Sequence, residues 1–420
     1  MADRRVEVFV QIEGEDYRAG ELWSHRRRGR ESATFSYAIE YLEDPAAFEL
    51  DPALPLVDGL QQTPDGRAIF GAFSDCAPDR WGRRLIGRAL RRRAQQAKQT
   101  ERSLGEIDYL LGARDDMRQG ALRFRDPKSE TFLAVEDEGV PALIGLPTLL
   151  ASSEREEREE EDDEDLRALL KGGSSLGGAR PKAHVIDENG RPAIAKFPKP
   201  ATDEWDVMRW EAVALQLAER AGIEVPPHRL IMVGERPVLI LDRFDRRAQQ
   251  RIPYASAMTM LEASDGDSGS YLEIADVIET HSPSAGKELA QLWRRIAFSI
   301  LISNTDDHLR NHGFLRLSTA GWSLSPAFDL NPDPDPGPRH LNTAIDFHET
   351  EARIETLLGV AAEFRLDDRE AELILQEVGE ATSSWRQVAA TQGLSSGAVE
   401  AMAPAFEHEE SAAVEELAGS

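Results

Sequence analysis

Asn304-Thr305-Asp306-Asp307-His308-Leu309-Arg310-Asn311-His312-Gly313-Phe314 crowds acids, amides and imidazoles together directly after a strongly apolar segment. Dense polar chemistry at the end of a buried run marks a candidate site. Asp306 precedes Asn311 by five positions, and a second acid, Asp329 in Ser325-Pro326-Ala327-Phe328-Asp329-Leu330, follows across what reads as a short hairpin. A carboxylate that takes a hydroxyl proton, beside an amide and a second carboxylate that hold a hard cation, would suit phosphoryl transfer. Asp and Asn are common in turns, so the spacing needs support from a lysine, a phosphate loop and an orienting acid elsewhere.

Leu289, Leu292, Trp293, Ile296, Ala297, Ile300 and Leu301 recur at three- and four-residue steps, which predicts a core helix delivering the chain to Asp306. Further upstream, Lys171-Gly172-Gly173-Ser174-Ser175-Leu176-Gly177-Gly178-Ala179-Arg180-Pro181-Lys182 carries glycines that can turn backbone amides toward an anion, although taken alone the stretch is simply a flexible loop. It is not a Walker A loop, because no Gly-Lys-Ser or Gly-Lys-Thr closes it. The Asn189-Gly190 pair then predicts a hairpin whose return strand, 192–197, carries Lys196. A helix follows over 206–221, with Val207, Trp210, Val213, Ala214, Leu217 and Ala218 on its apolar face and Glu211 as a partner for Lys196 or an ordinary surface glutamate. Two strands, 229–233 and 237–241, lead through Leu241 into Asp242-Arg243-Phe244-Asp245-Arg246, where a hinge would meet adenine. A glycine-rich hairpin followed by a strand lysine is the nucleotide-facing layout of a kinase small lobe, and Asp306 to Asn311 has the spacing of a kinase catalytic loop.

The chain of 420 residues holds 49 Lys and Arg against 76 Asp and Glu, a net charge of −27, which argues against a protein that grips nucleic-acid phosphates with its whole surface. One cysteine, Cys76, excludes an intrachain disulfide and a four-cysteine zinc site. His308 and His312 lie four apart, but Leu309 stands where a zincin would place its glutamate. The first residues lack the apolar core of a signal peptide and no apolar run approaches membrane-spanning length, so a cytoplasmic protein without membrane contact is expected. Strands are expected near 6–10, 33–39 and 120–124, with helices over 78–93 and 104–112. Residues 80–98 hold eight Lys or Arg and no acid, which makes a cationic helix face that either pairs with this chain's own acid or meets an acidic partner. Between 154 and 165 stand ten acids and two arginines, a run expected to be a solvated linker or an exposed helix end. The proline-rich run 331–338 reads as an ordered loop or a mobile lid.

In order, the 175–182 loop, the Asp242–Arg246 stretch, Asn304-Thr305-Asp306-Asp307-His308 with Asn311, and 325–330 resemble the HipA family, the serine/threonine kinase toxins of type II toxin-antitoxin systems. Pro78-Asp79-Arg80-Trp81-Gly82-Arg83, Asp108-Tyr109-Leu110-Leu111-Gly112 and Gly120-Ala121-Leu122-Arg123-Phe124 extend the resemblance over nearly the whole chain. It implies an α+β, protein-kinase-like two-lobed fold with a mixed α/β N-terminal part and an all-helical C-terminal lobe. The domains expected are an N-terminal subdomain at 1–105, a small-lobe-like subdomain at 106–245 with the acidic linker 154–165, a helical lobe at 246–405 and an acidic tail at 406–420. By the same resemblance Asp306 is the catalytic base and Asn311 and Asp329 the magnesium ligands. Lys196, Lys182, His308, Glu211, Gly177, Gly178, Leu241, Asp242 and Phe244 would form the site for ATP. Ser175 would be autophosphorylated, switching the kinase off. The implied cofactors are ATP and Mg²⁺, and the implied partners a HipB-like antitoxin, through which alone DNA is reached, and a protein substrate, which in the family includes an aminoacyl-tRNA synthetase. The alternative is a catalytically weak kinase-fold subunit acting as co-repressor with a DNA-binding antitoxin.

Overall fold

The computed structural model describes residues 4–64, 66–98, 100, 103–134, 140–173, 180–248 and 250–419. The chain divides into two compact units that alternate along the sequence: 1–202, 242–255 and 315–319 form the first, and 203–241, 256–314 and 320–420 the second.

In the first unit, β1 (Arg4–Ile12), β2 (Glu15–Arg27), β3 (Arg30–Tyr37), β4 (Gln61–Gln62) and β5 (Leu122–Arg125) make one antiparallel sheet in the order β4-β3-β2-β1-β5. Alternation sets its faces: Val6, Val8 and Val10 point into a core with Leu22, Phe35, Phe73 and Phe124, while Glu7 on the other face is held by Arg18 and Arg125. A hairpin, β6 (Lys182–Ile186) and β7 (Pro192–Lys196), forms as the Asn-Gly pair predicts. Gly190 takes the left-handed turn position, at φ +77°.

The acidic run is not a linker. It closes α2 (Leu146–Glu157), turns, and opens α3 (Asp163–Gly172), which Asp162 caps by accepting from the Glu164 and Asp165 amides. This pair of helices lies against the basic helix α1 (Arg80–Gln96), with Trp81 and Leu85 packed on Leu166 and Leu169. Arg84 meets Glu156 at 2.6 Å, Arg88 meets Glu161 at 2.9 Å and Glu159 at 3.1 Å, and Arg92 meets Glu161 at 3.1 Å and Asp163 at 3.3 Å. The cationic stripe therefore pairs with this chain's own acid, the plainer of the two readings its sequence allowed. Local self-repulsion of the run is relieved because arginines from seventy residues upstream sit among its carboxylates.

The second unit is mainly helical. Helix α4 (Val207–Arg220) buries Trp210 against Trp385 and Phe406, whose rings stack at 4.7 Å. After β8 (His228–Val233) and β9 (Arg236–Asp242) come α5 (Tyr271–His281) and α6 (Ala285–Leu301), the latter burying the apolar stripe that its spacing predicts. The last residues, expected as an acidic tail, form α7 (Glu409–Gly419), which buries Val414 and accepts the Ile354 amide on Glu410 at 2.7 Å.

Glu156 is wholly buried and carries Arg84 and Arg88, so Glu156→Ala should destabilise the first unit by about 3 kcal/mol in urea unfolding, because it strands a partly buried guanidinium. Glu160→Ala, at an exposed carboxylate, should cost under about 0.5 kcal/mol. In the second unit, burial and the neighbouring Arg339 push the His408 imidazole down to about 4. The unfolded chain then binds the extra proton first, so this site's stabilisation is complete above pH ~6.5 and is lost as pH falls toward 4. Up to about 3 kcal/mol of acid sensitivity should disappear in His408→Phe, read from melting curves between pH 4 and 7.

Candidate active site

Helix α6 ends at Leu301, and Ser303, at φ +53°, turns the chain out of the helix. Asn304, buried, then joins the two polar loops of the second unit: its Oδ1 accepts the Asn331 amide at 3.2 Å and its own amide donates to the Ser299 carbonyl at 2.8 Å. The Asp333 and Asn342 amides donate to the Ser303 and Thr305 carbonyls at 3.3 and 3.1 Å, and Arg339 reaches Ser303 Oγ at 2.7 Å. The proline-rich run is thus an ordered loop pinned to the Asp306 loop.

Asp306 and Asp307, adjacent in sequence, lie in opposite environments. Asp307 is buried; its Oδ2 accepts from the Tyr271 hydroxyl at 2.5 Å, and its Oδ1 lies 3.1 Å from His312 Nε2. Burial alone would raise its pKa, but the His312 charge and the two hydrogen bonds outweigh burial and hold it below the ordinary aspartate value. Asp306 keeps an exposed face, and the partial desolvation of its carboxyl, reinforced by the Asp329 and Asp307 charges, raises its pKa although His308 and Asn342 oppose the change. Asn342 Nδ2 donates to Asp306 Oδ1 at 2.8 Å, and Asn311 Nδ2 donates to the Asp306 carbonyl at 3.2 Å. Asp329 sits at φ +61°, a backbone conformation that costs energy for any residue with a Cβ, and its Oδ1 receives Asn331 Nδ2 at 3.4 Å.

These contacts bring Asp306, His308, Asn311 and Asp329 together in one unit. Asn311 and Asp329 offer an amide oxygen and a carboxylate, hard donors of the kind magnesium takes alongside water and phosphate oxygens. Among the described residues no group of three or more His, Cys, Asp or Glu side chains is placed to hold a metal ion. His312, the second histidine of the zinc-like spacing, is engaged by Asp307. Glu211 on α4 is buried, so it is no surface glutamate; Leu241 is buried too, opposite His228.

In the first unit Lys182 and Lys196 face each other across β6 and β7, both buried. Lys182 Nζ lies 2.9 Å from Asp79 Oδ2, while the other oxygen of Asp79 accepts the Gly82 amide at the start of α1. Two neighbouring buried ammonium groups need counter-charge, and Asp79 supplies one. Asp242 lies 3.3 Å from Arg191, and the Phe244 ring leans on Tyr254 at 6.3 Å. Ser175, Gly177 and Gly178, with Ser174, lie outside the described residues.

The sequence reading missed four contributors: Asp79, Tyr271, Asn304 and Asn342. Asp79 was visible as a helix start and as part of the family-like stretch 78–83 but not as a partner of Lys182, and nothing local linked Tyr271 or Asn342 to a loop about thirty-six residues away.

An α+β chain with an aspartate of raised pKa, an amide and a second carboxylate in one loop cluster has the parts of a phosphotransferase site. The family model for the HipA-like C-terminal domain matches residues 174–385, half of the chain, and the chain belongs to this HipA family. A Haemophilus influenzae protein named "Putative kinase" is 26% identical over 179 residues, 38% of this chain and 52% of that protein. A Sinorhizobium fredii protein named "Putative kinase Y4dM" is 29% identical over 135 residues, 29% of this chain and 32% of that one. The matches thus span about half and about a third of those relatives. In fold, the chain is similar to a solved chain from the Shewanella oneidensis MR-1 toxin-antitoxin complex of HipA, HipB and operator DNA, with a TM-score of 0.61 at 16% identity over 99% of both chains. The fold is therefore α+β and HipA-like. Among the described residues no helix is long and apolar enough to cross a membrane.

Tyr271→Phe removes a donor from a buried ionised carboxylate and should lower the stability of the second unit by about 2 kcal/mol, measured by thermal unfolding at pH 7.

Proposed function

We propose that the chain is a serine/threonine protein kinase of the HipA toxin type, dependent on ATP and Mg²⁺. The observation that carries this reading is the placement of the Asp306 carboxylate, its pKa raised, beside Asp329 and Asn311. In this reading the acceptor hydroxyl oxygen bonds to the γ-phosphorus as the bond to the bridging oxygen of ADP breaks, and Asp306 takes the hydroxyl proton. Lys182 and Lys196 bind the phosphates, Glu211 serves as the orienting acid, His308 lines the nucleotide site, and Leu241, Asp242 and Phe244 flank the adenine. Gly177 and Gly178 are assigned to phosphate binding in the same reading. Magnesium, held by Asn311 and Asp329, supplies charge neutralisation of the transferred group.

Ser175 is the proposed site of self-inactivation, since added phosphate charge there would repel the nucleotide. The proposed partner is a HipB-like antitoxin, of the kind present in the Shewanella assembly. DNA would be met only through it, a view supported by α1, whose arginines Arg84, Arg88 and Arg92 are spent on Glu156, Glu159, Glu161 and Asp163. The acceptor is a protein, with an aminoacyl-tRNA synthetase the first to test, and growth arrest with persistence the cellular outcome.

Incubation of the purified chain with γ-labelled ATP and Mg²⁺ should label protein serine or threonine, Ser175 included. Asp306→Ala should cut the rate by at least about 100-fold. Because the base must be ionised, the rate at saturating ATP should fall as pH drops through a pKa above the ordinary aspartate value. Undiminished labelling in Asp306→Ala would overturn the assignment.

A further inference from the structure

The Asp306 loop is gripped residue by residue from one segment. The Asn342 amide donates to the Thr305 carbonyl at 3.1 Å, Asn342 Nδ2 to Asp306 Oδ1 at 2.8 Å, and Thr343 Oγ1 to the Asp307 carbonyl at 2.8 Å. The segment is itself fixed, because Thr343 and Ala344 bridge Gly269 and Ser270 in parallel, and the next residue, Tyr271, holds the Asp307 carboxylate. Asn342 is thereby placed by a frame that also fixes the loop it touches.

Among the described residues, Asn342 provides the only side-chain hydrogen bond to the Asp306 carboxylate, and it engages Oδ1 alone. An aspartate carboxyl has a broad, nearly two-fold terminal torsion, so its own rotamer preference does not choose which oxygen faces the reacting atoms. One anchored oxygen makes that choice. Asn342 is exposed, so water could satisfy its amide equally well; no buried group requires this bond. Core stability therefore does not explain it. An acid at this position would instead set a second acceptor against Asp306.

We propose that Asn342 is a positioning residue for Asp306, holding Oδ1 so that Oδ2 is presented to take the proton of the acceptor hydroxyl. The inference rests on the kinase reading above. As the hydroxyl oxygen bonds to phosphorus and ADP departs, the proton passes to Oδ2, while the Asn342 amide keeps its own hydrogens throughout. Catalytic groups displaced by an ångström commonly lose two orders of magnitude in rate, so a carboxylate free to rotate is a less effective base at unchanged nucleotide affinity.

The test uses the full chain, Mg²⁺ and γ-labelled ATP, with wild type, Asn342→Ala and Asn342→Asp. The readouts are the labelling rate at saturating ATP, the Kd of a non-hydrolysable ATP analogue by calorimetry, and the melting temperature. The backbone bond to Thr305 survives in both variants, so the segment stays docked. Both should lose about 10- to 100-fold in saturating rate while analogue Kd stays within about twofold and melting is unchanged. A wild-type rate in Asn342→Ala, or a loss of analogue affinity matching the loss of rate, would overturn the positioning role while leaving the kinase reading intact. A wild type that transfers no label would overturn the kinase reading and this proposal together.

Discussion

A buried carboxylate has to be matched by donors and opposite charge, and in the second unit that requirement falls on Asp307. Tyr271 and His312 meet it, one from the start of α5 and the other from the end of the polar loop. Once Asp307 is fixed from both sides, the peptide between it and Asp306 is fixed too, and Asp306 is turned into a different setting. Two adjacent aspartates then have their pKa values pushed apart, one down by donors and one up by burial and like charge. Such divergence is the usual way a protein separates a structural carboxylate from a reactive one.

The first unit solves its own problem of buried charge on a larger scale. Asp245 holds Arg243 at 2.6 Å and Arg246 at 2.8 Å and accepts the Gly120 amide, while Asp115 holds Arg118, Arg123 and Arg251. Residues 114–123 and 243–251 are thus knotted together through guanidinium groups, and the stretch carrying Asp242 and Phe244 is anchored by its neighbour Arg243. Breaking one member would leave several cations uncompensated, so the knot acts as a unit. Helix α1 adds a second tie, touching the chain before the glycine stretch through α2 and α3 and after it through Asp79 and Lys182.

Much of this was legible wherever the signal is local. The stripe of α6, the Asn189-Gly190 hairpin and the strands of the first sheet follow from periods of 3.6 and 2 and from turn chemistry, which need only neighbours along the chain. The set Asp306, Asn311 and Asp329 was legible as spacing, and the fold places the three near one another in the second unit. What sequence could not carry was pairing at a distance. The run 154–165 looked solvated because its own neighbours are acids, and only the fold brings the α1 arginines to it. The burial of Glu211 was half visible, since it stands four after Val207 and three before Ala214 on the apolar side of α4. Asn342 left no trace, because an asparagine in an irregular segment reads as a turn residue until its partner is known.

The net charge of −27 was the strongest argument from composition, and the fold changes where it applies. The first unit contains 36 Lys and Arg against 40 Asp and Glu, a balance of −4, whereas the second contains 13 against 36, a balance of −23. The acid excess therefore belongs almost entirely to the unit that carries Asp306 and Asp329. Overall charge does not by itself keep an anionic partner from the first unit; at Arg84, Arg88 and Arg92 of α1 the internal pairing opposes one, because a phosphate would have to displace carboxylates already at 2.6 to 3.3 Å. In the second unit desolvation raises the pKa of Asp306, with the Asp329 and Asp307 charges adding to it, and in the kinase reading the acid excess would disfavour an acceptor that brings its own negative charge to the loop. In the kinase reading proposed above, a site built from acids at this density would favour neutral or cationic acceptor segments and would need a divalent cation to tolerate the phosphates of a nucleotide.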